Sequence, residues 1–155
     1  MPLAPGQLAG FDRDGYLVIR SALSPDEVAA AREALDRAYA TAVRAGSLGP
    51  DGSMHQLSAV TNCPEIAFLA DLPATFPCVW SVLGWNIHIS HSHLDVNPPP
   101  RGHTPFRFDW HQDGGRQNRE IEAIPRPRLS VKLPTGSPTS PVRGAATSRS
   151  CRAVI

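Results

Sequence analysis

Apolar and polar positions follow different rhythms in different parts of the chain. Between residues 25 and 45 the apolar positions Val28, Ala31, Leu35, Ala38, Tyr39 and Ala42 recur at helical spacing and would share one face. Ser24 can cap this run, Pro25 suits a first helical position, and Glu27 sits where a capping box needs a carboxylate. Gly46 is a natural stop. The pattern predicts a helix over 24–44 with Val28 and Leu35 facing a core. Before it, Asp14-Gly15 signals a turn and Tyr16-Leu17-Val18-Ile19 a short strand. From 86 to 96 the rhythm changes to period two. Ile87, Ile89, His91, His93 and Asp95 fall on one side, and His88, Ser90, Ser92 and Leu94 on the other. A strand is expected there, ended by Pro98-Pro99-Pro100. Short helices are expected over 64–72 and 74–83, a loop over 49–52, and a further short strand over 129–132.

The segment Trp110-His111-Gln112-Asp113 adds chemistry to this pattern. A histidine and an aspartate two residues apart on an extended strand point to the same side. Together they supply two donors of a two-histidine, one-carboxylate facial triad, the ligand set that leaves open positions on non-haem Fe(II). A third donor, a later histidine, is expected. None of the six histidines follows His111.

Composition narrows the alternatives. The chain has 155 residues, 41% hydrophobic and 19% charged, with a net charge of +1. That fits one domain with a core of its own. It gives no reason to expect nucleic acid or an anionic membrane as partner. No apolar run approaches the roughly 18–20 residues of a membrane-spanning helix, and no secretory leader is expected from the first residues. Cys63, Cys78 and Cys151 are far apart and odd in number. They suggest no disulfide framework, so a reducing, cytoplasmic setting is expected. Cys63 and Cys78 read as small buried hydrophobes.

Beyond Lys132 the chain changes character. Residues 133–155 contain no acidic and no aromatic residue and show no periodicity, a composition that buries little surface. Back-translating this stretch with allowed codons and reading it two bases later permits S-Y-W-L-T-D-L-S-G-P-G-R-G-N-F-Q-V-V-P-G-S-H. That string has the pattern of a strand, a loop, a second strand and a terminal histidine. The tail is therefore expected to be the product of a frameshift, disordered as it stands.

Three stretches together resemble the phytanoyl-CoA dioxygenase family of Fe(II)- and 2-oxoglutarate-dependent oxygenases. They are Phe11-x-x-Asp14-Gly15-Tyr16-Leu17-Val18-Ile19 with Leu23-Ser24-Pro25-Asp26-Glu27-Val28, then His91-Ser92-His93-Leu94-Asp95-Val96-Asn97-Pro98-Pro99, then Trp110-His111-Gln112-Asp113. The shifted-frame G-N-F-Q-V-V-P-G-S-H is similar to the family's distal-histidine segment. The resemblance implies a mainly β fold, a double-stranded β-helix (jelly roll, cupin-like) core flanked by α-helices, incomplete at the C-terminus. It divides the chain into a partial oxygenase domain over 1–132 and an aberrant tail over 133–155. It implies Fe(II) held by His111 and Asp113, and 2-oxoglutarate beside His93 and Lys132. It also implies molecular oxygen and a small organic molecule as co-reactants. The distal histidine ligand and the arginine that follows it in the family have no counterpart here. Arg143, Arg149 and Arg152 lie in the tail and do not replace the arginine.

Two rival readings follow from the same residues. One is a metal-dependent hydrolase using His91, His93 and Asp95, which resemble the start of a zinc-binding HxHxDH motif; Val96 stands where that motif has histidine. The other is a truncated oxygenase-like protein without activity. Blander roles are also expected. His91 suits a hydrogen-bonded core face, His88 a structural position, Trp110 a packing anchor, and Asp95 a partner for Arg101 or Arg107.

Overall fold

The computed structural model describes residues 2–98, 120–125, 127–135 and the backbone of 151–154. The chain opens with helix α1 (Pro5–Asp14) and strand β1 (Tyr16–Ile19), followed by α2 (Pro25–Ala45) and β2 (Met54–Leu57). A single turn of helix α3 (Ala59–Asn62), a 3-10 helix (Pro64–Leu69) and α4 (Phe76–Leu83) come next. Strands β3 (His93–Val96) and β4 (Cys151–Val154) complete the described elements.

The expected helix over 24–44 is α2, and its predicted signals are its boundaries. Ser24 Oγ accepts from the Glu27 N–H at 3.2 Å while the Glu27 carboxylate accepts from the Ser24 N–H at 2.7 Å. Gly46 ends the helix in the left-handed region, at φ 64°. The facing differs by one position from the prediction. Ala34 is the buried residue, and Val28 and Leu35 are half-buried at its flanks. Alanine at the centre lets α2 approach closely, because it brings the least volume to the contact. Helix α1 was not expected. Its two glycines dilute the apolar pattern, yet Pro5 opens it, Gln7 Oε1 accepts from the Ala4 N–H at 2.9 Å, and the Gly15 N–H closes it on Phe11 O at 2.8 Å.

Two apolar centres result. In one, Ala34 of α2 meets Ala59, Cys63 and Ile66, with Leu69 and Leu94 packed against them. In the other, Phe11, Leu17, Val79 and Val82 surround a void of about 10 Å³ together with Leu3, Val131 and Leu133. Such a void holds at most about one water, and its lining is apolar. Arg128 fastens the second centre: its Nη2 donates to Asp12 at 2.5 Å and its Nη1 to the Val82 carbonyl at 3.4 Å.

The mainly β expectation is corrected. Among the described residues helix outweighs strand, and the strands form two separate two-stranded antiparallel sheets, β1–β4 and β2–β3. The expected strand over 86–96 is reduced to His93–Val96. A strand exists only where a neighbour completes its ladder, and β2 offers four residues, Met54 to Leu57, opposite Val96 to His93. The strand expected over 129–132 contributes a single bridge at Lys132. The helices expected over 64–72 and 74–83 are present, the first as the shorter 3-10 helix and the second as α4. Within the tail, Cys151–Val154 pairs with β1.

Candidate functional site

The chemistry-bearing side chains gather on the β2–β3 ribbon. A turn sets β2 in place. Gly52 adopts φ 82°, the Ser53 N–H donates to Asp51 Oδ1 at 2.9 Å, and the Tyr39 hydroxyl of α2 donates to Gly52 O at 2.9 Å. At the far end, Asn62 Nδ2 donates to Leu57 O at 3.0 Å. β3 is tied to α3 through Ser92, whose carbonyl accepts from the Ala59 N–H and whose hydroxyl accepts from the Val60 N–H, each at 3.2 Å. Exposure then alternates along both strands. Met54, Gln56, Leu94 and Val96 are buried or half-buried, while His55, Leu57, His93 and Asp95 are exposed.

The antiparallel register places His55 opposite Asp95 and Leu57 opposite His93. Asp95 therefore stands between two imidazoles. Its Oδ1 lies 2.5 Å from His55 Nδ1 and its Oδ2 lies 2.7 Å from His93 Nδ1. A carboxylate accepts only, so each Nδ1 donates to it. The two rings meet edge to face, with centroids 5.4 Å apart, and His91 leans on His93 at 5.1 Å. His55, His93 and Asp95 each offer a ligand atom within 4.8 Å of the others. Two imidazoles and a carboxylate are donors suited to borderline first-row metals.

Period-two reasoning placed His91, His93 and Asp95 on one side of the strand expected over 86–96, and all three are exposed. It missed His55. The signal was present in Met54-His55-Gln56-Leu57, an alternation directly after the Asp51-Gly52 turn, but four residues are too few to stand out. Asp95 takes His55 and His93 as its partners; Arg101 and Arg107 lie outside the described residues. So do His111 and Asp113. Lys132 is exposed, and its neighbours Val131 and Leu133 line the void beside Phe11 rather than the imidazole face. His88 is exposed. Cys63 is buried, and burial together with the adjacent Glu65 carboxylate pushes its thiol up, away from reactivity. The larger groove, about 330 Å³, runs along β1 and is lined by Leu3, Gln7, Leu17, Ile19, Arg20 and Cys78 among others, apart from the imidazole face. No helix among the described residues is long and apolar enough to cross a membrane.

Comparison with known proteins gives the chain its class. The phytanoyl-CoA dioxygenase (PhyH) family matches residues 11–133, and the chain belongs to that family. The family implies a cupin-like fold and is generally dependent on Fe(II) and 2-oxoglutarate. The chain is 33% identical over 118 residues to an ectoine dioxygenase of Stutzerimonas stutzeri (strain A1501), a match spanning 72% of this chain and 38% of that protein. It is 29% identical over 146 residues to an ectoine dioxygenase of Sphingopyxis alaskensis (strain DSM 13593 / LMG 18877 / RB2256), spanning 88% of this chain and 46% of that protein. The chain thus matches less than half the length of either relative. No solved structure matches it.

Proposed function

We propose that this chain is part of a non-haem dioxygenase that uses Fe(II), 2-oxoglutarate and molecular oxygen to hydroxylate a small organic molecule, ectoine or a compound close to it. One observation carries the reading: the family match runs through the Trp110-His111-Gln112-Asp113 motif, from residue 11 to residue 133. In this reading His111 and Asp113 hold the iron, whose donor preferences they suit. When bound, the metal and 2-oxoglutarate supply the oxidising power, with succinate and carbon dioxide as co-products. The chain's own part is to orient these groups. His93 and Lys132 are assigned to the cosubstrate, His93 with its ring fixed by Asp95 and Lys132 as a cation for a carboxylate.

The domain division forms part of the proposal. The family match ends at residue 133, which supports a change of reading frame at that point. The shifted frame would restore a Pro-Gly-Ser-His segment and with it a third iron ligand. The decisive experiment compares this chain with its frame-restored form, each loaded with Fe(II) under anaerobic conditions and then given oxygen, 2-oxoglutarate and ectoine. The restored form is expected to release succinate and hydroxylated ectoine, and its His111→Ala variant neither. Turnover that survives His111→Ala would sink the iron assignment. A genomic sequence with no histidine in either shifted frame before a stop codon would sink the frameshift alone.

A further inference from the structure

The imidazole face of the β2–β3 ribbon contains neither residue assigned to iron, shares His93 with the proposed cosubstrate site, and is built like a metal site. We propose that His55, His93 and Asp95 bind a divalent ion of the imidazole-preferring class, for which Zn²⁺ is the probe. Three features of the ribbon support this. The donors come from two paired strands, so their backbone spacing is fixed by the ladder; His55 and Asp95 are direct cross-strand partners and His93 lies two residues away on the same face. Their ligand atoms already lie within 4.8 Å of one another. The side chains are accessible, at 60% exposure for His55, 35% for His93 and 36% for Asp95, so an ion can enter without opening a core.

The present distances are those of hydrogen bonds. Ligand atoms about 2.0–2.2 Å from a tetrahedral ion are about 3.4 Å from each other, whereas Asp95 lies 2.5 and 2.7 Å from the two Nδ1 atoms. Metal entry therefore requires the cluster to open by less than about 1 Å, within reach of side-chain rotation at exposed positions. An imidazole that binds through Nδ1 presents that nitrogen's lone pair to the ion, while Asp95 exchanges its two hydrogen bonds for a bond to metal. Hydrogen-bonded rings and a metal cluster are thus two states of one constellation.

Calorimetry with Zn²⁺ on the 155-residue chain tests the proposal, with circular dichroism confirming that each variant folds. One equivalent should persist in the His111→Ala/Asp113→Asn double variant. The same equivalent should weaken at least ~10-fold in His55→Ala and in Asp95→Asn, since loss of a direct ligand should cost no less than loss of an outer-shell partner. Absence of any Zn²⁺ equivalent sensitive to His55→Ala overturns it. So does an equivalent that disappears with the His111 and Asp113 substitutions. Failure of 2-oxoglutarate turnover bears on the iron reading alone and leaves this outcome untouched.

Discussion

Two ribbons of the same size and the same antiparallel pairing do different work in this molecule. β1–β4 joins Tyr16–Ile19 to Cys151–Val154, and β2–β3 joins Met54–Leu57 to His93–Val96. In β1 exposure does not alternate: Tyr16 is exposed, and Leu17, Val18 and Ile19 are all half-buried. In β2–β3 it alternates at every position, with Leu94 packed against the Ala59 and Ile66 cluster and the imidazoles exposed. A continuous apolar strand is covered to some degree on both faces. An alternating strand keeps one face for packing and leaves the other for chemistry. The difference lies in the side chains, since the backbone pairing is the same.

The sharpest way to break this comparison is to damage the two apolar centres separately. Phe11, 2% exposed, belongs to the centre beside β1. Phe11→Ala should destabilise the protein by about 3–5 kcal/mol, measured by urea denaturation, with amide protection lost first in β1. Ile66, 6% exposed, belongs to the centre beneath β2–β3. Ile66→Ala should cost about 2–5 kcal/mol, with the earliest loss of protection in β2 and β3. Equal loss in both ribbons for either variant would mean that the molecule opens as one unit and that the contrast is one of surface only.

A smaller effect sharpens the same contrast, because α2 packs Ala34 on the β2–β3 side. Ser24→Ala removes the hydroxyl of its capping box and should cost about 1 kcal/mol, with unfolding of the first turn visible by circular dichroism. A cost near zero would show that the helix is held by packing alone. The smallest expected effect is one of acidity. Hydrogen bonds from the Ser24 N–H and then its hydroxyl hold the Glu27 carboxyl below its ordinary value of 4.5. A lowered folded-state value means that the contribution is complete above the ordinary value and is lost as pH falls through the folded one. Wild-type and Glu27→Gln melting curves should therefore differ by a constant amount at neutral pH and converge in acid. Parallel curves down to the lowest pH would remove Glu27 from the cap.

The same physics decides how much of the molecule was legible. α2 was legible to its caps because a run of twenty-one helical residues carries its own boundaries. β1 was legible because four consecutive apolar residues follow a turn signal. The strand around His93 was legible in its alternation but not in its length, because length depends on a partner far away in sequence. His55 was invisible for the same reason: it acquires meaning only opposite Asp95, forty residues on. The extent of helix was underestimated where α1 forms despite its glycines, held by Pro5, Gln7 and Gly15 rather than by an apolar stripe. The imidazole face was half readable, in His91, His93 and Asp95, since residues on one strand share a face without help from tertiary contacts.

The pairing of His55 with Asp95 also acts as a check on assembly. Side-chain direction in a strand has a period of two, so a slip of one residue between β2 and β3 turns one whole strand over relative to the other. If β3 slipped, Asp95 would be driven toward the side now occupied by Leu94 and Val96. Burying an unpaired carboxylate there would cost several kcal/mol, and Leu94 would be left in water. The polar face thus penalises the same mispairing that the apolar face penalises. A ribbon of only four residue pairs therefore needs no turn between its strands to find its alignment.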